Sequence, residues 1–134
     1  MDTAIIRQPE IAIVEDHPPT REALCNLLTR SGFLITIVSE DGKQFIEALH
    51  SADHLPEVCL VDLRMPVMNG YDTIKAIHAR WPQIKMIACS NHAVQKDIDL
   101  ALSLGANLFY QKNSAPGILM AWIKEATTDR TNST

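Results

Sequence analysis

Five side chains stand at the ends of short runs that read as strands, and together they could carry phosphoryl chemistry. Glu15 and Asp16 follow the run 11–14, Asp62 follows 58–61, Ser90 follows 84–89, and Lys112 follows 107–111. Carboxylates converging on one edge repel each other: two like charges about 4 Å apart cost roughly 4 kcal/mol at an effective dielectric near 20. Protons or a cation must offset that, and Mg²⁺ suits a few carboxylates plus phosphate oxygens. With metal and lysine neutralising an incoming phosphoryl group and a hydroxyl holding one of its oxygens, a carboxylate can attack phosphorus. Asp62 is the candidate nucleophile and would form an aspartyl phosphate. Acids after one strand would read as solvated loop residues. Two acid-ended strands beside a hydroxyl and an ammonium carry the sharper reading.

That convergence depends on the elements. The run 58–61 is apolar without alternation, as in a parallel strand buried on both faces. Asp62 then sits where open parallel sheets bind ligands, just beyond the carboxyl end. Further strands are expected at 11–14, 33–38, 84–89 and 107–111. The first helix is expected from a Thr20 cap to Arg30, with Leu24, Leu27 and Leu28 on one face. The second spans 41–50, with Phe45, Ile46 and Leu49 inward. The third spans 71–80 and ends at Trp81-Pro82. The fourth spans 93–104, where Val94, Ile98 and Leu102 recur every four residues and Gly105 closes it. The last starts from a Ser114 cap, with Leu119, Trp122 and Ile123 inward. Five strands alternating with five helices predict an α/β, flavodoxin-like, doubly wound, five-stranded parallel sheet in the order 2-1-3-4-5. That order places the first and third strands side by side at the centre.

The 134 residues fit one domain over 9–127, with 128–134 a polar tail or the start of a linker. The net charge of -4 gives no reason to expect direct nucleic-acid binding. No apolar run approaches the roughly 20 residues of a membrane span, and the first residues are too short and too weakly basic for a signal peptide. The three cysteines, Cys25, Cys59 and Cys89, lack C-x-x-C spacing and read as small buried residues in a reducing cytoplasm. His17 reads as a helix-entry residue rather than a ligand. His50, His54 and His78 read as solvated.

The segments Ile13-Val14-Glu15-Asp16-His17-Pro18, Asp62-Leu63-Arg64-Met65-Pro66-Val67-Met68-Asn69-Gly70, Cys89-Ser90 and Gly105-Ala106-Asn107-Leu108-Phe109-Tyr110-Gln111-Lys112 resemble the receiver domain of two-component response regulators. The resemblance runs from about Ile11 to Ala126 and is strongest toward receivers joined to a C-terminal helix-turn-helix domain. It implies that Asp62 is the phosphoacceptor. Glu15, Asp16, Asp62 and the backbone carbonyl of Arg64 would hold Mg²⁺. Ser90 is the switch hydroxyl, Lys112 the phosphate-binding lysine and Phe109 the switch aromatic. The donor would be a histidine kinase or phosphotransfer protein, and the fourth-helix, fifth-strand and fifth-helix face would control an output. The sequence leaves open whether an output domain follows after a linker, the receiver stands alone or it comes from a larger protein, and it leaves a homodimer open; the protein is expected to be cytoplasmic and not a turnover enzyme. The contrasting reading is a receiver-fold interaction module that works without phosphorylation. A small phosphohydrolase would want an acid two residues past Asp62, where Arg64 stands.

Several positions depart from the family pattern. Glu15 replaces the commoner aspartate, and its longer arm would reach a metal through water. Asn91 would narrow access for small phosphodonors. Asn113 follows Lys112 where proline is usual, so a cis bond there would be a costly non-proline one. Gly117 takes the place of a capping glutamate. Arg64 and His92, two residues beyond Asp62 and Ser90, predict a long-lived phosphoryl state.

Overall fold

Residues Val58–Asp62 form β3, which is buried at every position. In the computed structural model, which describes residues 8–131 and the side chains of 8–127, it lies at the centre of one five-stranded sheet. The other elements, in chain order, are β1 (Glu10–Val14), α1 (Pro18–Arg30), β2 (Leu34–Ser39), α2 (Gly42–Ser51), α3 (Gly70–Arg80), β4 (Lys85–Ser90), α4 (Gln95–Leu104), β5 (Leu108–Gln111) and α5 (Pro116–Thr131). The sheet order is β2-β1-β3-β4-β5, and every neighbouring pair is parallel. This is the flavodoxin-like topology expected.

Alternation along the central strands sends successive side chains to opposite layers. Ala12, Val14, Cys59 and Val61 pack with Phe45 and Leu49 of α2, Ile74 and Ile77 of α3, and Ala101 of α4. Ile11, Ile13 and Leu60 pack with Leu28 of α1 and with Leu119 and Ile123 of α5. Two apolar layers therefore clamp β1 and β3, and the strand ends inherit that rigidity. No helix among the described residues is long and apolar enough to cross a membrane.

The local expectations at Thr20, Ser114, the α4 face and the C-terminal tail are corrected. Thr20 does not cap α1: His17 is the N-cap and prolines occupy the first helical positions, where a missing N–H costs nothing. The Thr20 hydroxyl instead hydrogen-bonds His17 Nδ1 at 2.7 Å, which is the local role expected of His17. Ser114 lies two residues before α5, and its carbonyl accepts the Tyr110 hydroxyl at 2.7 Å. In α4 the four-residue repeat is real, yet Val94 and Leu102 face solvent and the buried residue is Ala101. The Lys112–Asn113 bond is trans, as are all described peptide bonds. Helix α5 continues to Thr131, so part of the expected tail is helical, and 132–134 lie outside the described residues. Trp122 packs against the second layer and meets Tyr110 edge-on, with ring centroids 6.2 Å apart. His50 packs edge-on against Trp81 at 4.9 Å. His78 lies over Gly105, where a Cβ would come within 2.5 Å of its ring.

Candidate functional site

The pairing of Val14 with Val61 brings the next residues of both strands to one edge. Glu15 is 1% exposed and Asp62 5% exposed, while Asp16 faces solvent. One carboxylate oxygen from each of Glu15, Asp16 and Asp62 can be chosen so that all lie within 4.8 Å of one another. Three hard oxygen donors at that spacing fit a small divalent cation.

Lys112 enters from β5. Its Nζ lies 2.5 Å from Glu15 Oε1 and 3.3 Å from Asp62 Oδ1. Burial works against its charge, but the hydrogen bond to Glu15 and the Asp62 carboxylate outweigh that and raise its pKa. Asp62 is pushed up to about 7 by desolvation first and by the Glu15 charge second, against the lowering pull of Lys112 and the Arg64 N–H. The amide of His17 donates to Glu15 Oε2 at 3.1 Å, and that of Arg64 to Asp62 Oδ1 at 3.3 Å. Ser90 is 3% exposed, and its carbonyl accepts the Lys112 amide at 2.9 Å, which ties β4 to the lysine.

The loop after Asp62 returns tightly. A Cβ on Gly70 would stand 2.2 Å from the Asp62 carbonyl oxygen and 2.5 Å from Leu63 Cα, so only glycine lets α3 start there. Val67 takes φ 67° at the centre of a turn closed by the Met68 amide on the Pro66 carbonyl at 2.7 Å. Asn69 accepts the Asp72 amide and caps α3.

Glu15, Asp16, Asp62, Ser90 and Lys112 line one open cleft of about 520 Å³, together with Arg64, Asn91 and His92 at its rim. Phe109 is absent from that lining: it is half-buried against the α3 and α4 layer, while Tyr110 is buried on the opposite face. Gly117 sits in the first turn of α5 with nothing within 4 Å of a Cβ. Burial pushes the thiol of Cys89, behind Ser90, up to about 12 and raises that of Cys59, so neither is a reactive group. Cys25 is half-buried rather than buried, and all three thiols are free.

Three residues that hold the site's loops have no signature in the sequence. Arg21 reaches back from α1 to the Glu15 and Asp16 carbonyls. Gly42 opens α2 where a Cβ would meet Thr73 Oγ1 at 2.1 Å and the Met68 carbonyl at 2.8 Å. Gln111 Nε2 donates to the Ala93 carbonyl at 3.1 Å, joining β5 to the loop before α4. Each contact is to backbone or to a distant turn, which periodicity cannot reveal.

Residues 11–124 match the family model of the response regulator receiver domain. The chain belongs to this family. This receiver is 32% identical over 120 residues to the nitrate/nitrite response regulator protein NarL of Escherichia coli, covering 87% of the chain and 53% of NarL. It is 30% identical over 106 residues to the chemotaxis protein CheY of Thermotoga maritima, covering 79% of the chain and 87% of CheY. A CheY-like receiver structure from Methanospirillum hungatei superposes with a TM-score of 0.84 at 20% identity, covering 96% of this chain and all of that one, which supports the fold. The receiver thus spans about half the length of NarL.

Proposed function

We propose that this receiver takes a phosphoryl group onto Asp62 from a phosphohistidine on a histidine kinase or phosphotransfer protein. The supporting observation is the Lys112 ammonium bridging the buried carboxylates of Glu15 and Asp62 at one sheet edge. An ionised Asp62 Oδ attacks phosphorus, the P–N bond breaks, and the imidazole nitrogen leaves with the electron pair and takes a proton from solvent. Lys112, already 3.3 Å from Asp62, holds positive charge beside the arriving group. The Ser90 hydroxyl, on the neighbouring strand, donates to a phosphoryl oxygen. Mg²⁺ held by Glu15, Asp16, Asp62 and the carbonyl of Arg64 would supply further positive charge to the phosphoryl oxygens.

The signalling unit, expected over 9–127, extends through α5 to Thr131. Movement of Ser90 toward the phosphoryl group would draw on the loop before α4, and Phe109 would follow, altering the face formed by α4, β5 and α5. That face would control an output domain or a second copy of the receiver, in the cytoplasm and without direct nucleic-acid contact by this domain. The protein serves as acceptor rather than turnover enzyme and slowly loses its own phosphate. Arg64 and His92 flank the cleft opening, where their bulk hinders water approaching Asp62. The phosphoryl state is therefore long-lived, and Arg64→Gly or His92→Ala shortens it; a wild-type half-life of seconds, read by loss of label, contradicts this.

Labelling by a phosphohistidine donor tests the assignment. Wild type gains alkali-labile phosphate only with Mg²⁺, and Asp62→Asn gains none. Equal labelling of Asp62→Asn overturns it.

A further inference from the structure

We infer that Arg21 is the positioning residue of the acid pair, a role that rests on the metal-dependent reading of the site. The chain leaves the sheet at Glu15, whose amide makes the last bond to β2, on the Ser39 carbonyl at 3.0 Å. Beyond that point no strand partner fixes the backbone that carries Glu15 and Asp16. Arg21 fills the gap. Its amide closes the first turn of α1 on the His17 carbonyl at 2.9 Å. Its Nη1 reaches back to the Glu15 carbonyl at 2.9 Å and toward the Asp16 carbonyl at 3.5 Å. One side chain therefore ties the helix to both acid-bearing residues across the turn.

The two acids need that tie unequally. Glu15 is buried and its carboxylate is held by Lys112 and by the His17 amide. Asp16 is exposed, so burial does not hold its carboxylate, and its direction follows the backbone that Arg21 grips. A guanidinium suits the task because it stays charged and presents several donors in a rigid plane, where a lysine offers one compact charge. Residues that orient ligands in this way typically change metal affinity by about 10- to 100-fold when removed.

The test is a Mg²⁺ titration of the whole chain, followed by backbone amide NMR well below the melting temperature, alongside the melting temperature without Mg²⁺. Arg21→Met weakens Mg²⁺ binding by about tenfold or more, and Arg21→Lys recovers part of the loss. Should Arg21→Met not fold, Arg21→Gln and Arg21→Lys give the same comparison. A folded variant that binds Mg²⁺ as wild type does, whatever its melting temperature, shows a purely structural arginine and overturns the inference. A wild-type protein that ignores Mg²⁺ overturns the metal-dependent reading itself, and this inference with it.

Discussion

On the β1–β3 side of the cleft, Glu15 and Asp62 grow from fully buried strand ends, and backbone amides, Lys112 and Arg21 hold them. On the β4–α4 side, Ser90 is equally buried, but the chain beyond it turns outward at once. Val94 is 63% exposed, and Leu100 and Leu102 also face solvent. Helices α2 and α3 begin with capping side chains, Asp41 and Asn69, and anchor with pairs such as Phe45 and Leu49 or Ile74 and Ile77. Helix α4 begins at Val94 without a side-chain cap; the Asp97 carboxylate accepts the Val94 amide at 3.1 Å, and the one fully buried residue is Ala101. Burying a Leu, Ile or Phe contributes about 1.5–3 kcal/mol, far more than an alanine methyl. Leu104 also packs partly buried against the core, and a long contact from the Tyr71 hydroxyl to Asp97 at 3.4 Å and the Gln111–Ala93 bond add polar ties. Charge is gathered where the chain is clamped, while α4 is anchored by fewer large buried side chains, so opening it costs less.

The largest test of this contrast is to remove the cation from the clamped side. Lys112→Ala leaves Glu15 and Asp62 facing each other unpaired and destabilises the metal-free protein by about 3–5 kcal/mol. The pH profile carries the sign. Asp62 is pushed up to about 7 in the folded protein, whereas an unfolded aspartate titrates near about 4. The native state holds the extra proton between those values, so the Asp62 contribution to stability falls as pH rises from about 4 to about 7 and is level above. Lys112→Ala loses most above that window, and Asp62→Asn flattens the slope. Urea midpoints across pH measure both, and an unchanged slope in Asp62→Asn would refute the assigned cause.

Glycines give a smaller and cleaner contrast. Gly70→Ala drives a methyl into the Asp62 and Leu63 backbone, where nothing flexible can step aside, and costs about 1–3 kcal/mol. Gly117→Ala meets nothing and, in a helical turn, stabilises by about 0.5–1 kcal/mol. Thermal melts of the two variants should move in opposite directions; movement in the same direction would mean that the loop after Asp62 is not under steric control.

Much of the clamped side is legible in the amino-acid sequence. Unbroken apolar runs mark β1 and β3, and the residues that end them must meet once the strand order is known. Ser90 and Lys112 follow by the same logic on β4 and β5. The loosely held side is harder to read. Val94, Ile98 and Leu102 share a four-residue repeat, but four-residue steps drift around the helix: Ile98 and Ala101, three apart, share the inward face, Leu102 has turned about 100° away from Ala101, and Val94 is the extended N-cap outside the helix. Thr20 and Ser114 look like caps by residue type, yet Pro18 and Pro116 begin their helices, and proline at the first turn outranks a downstream or upstream hydroxyl. Arg21 and Gly42 act on backbone atoms that only the folded turn brings near.

The most direct test of the asymmetry is amide hydrogen exchange of the whole chain, with and without Mg²⁺ and beryllofluoride. Altered protection is expected across 91–104 and into β5, with β1 and β3 unchanged. A response confined to β1 and β3, or none at all in α4, would contradict the account.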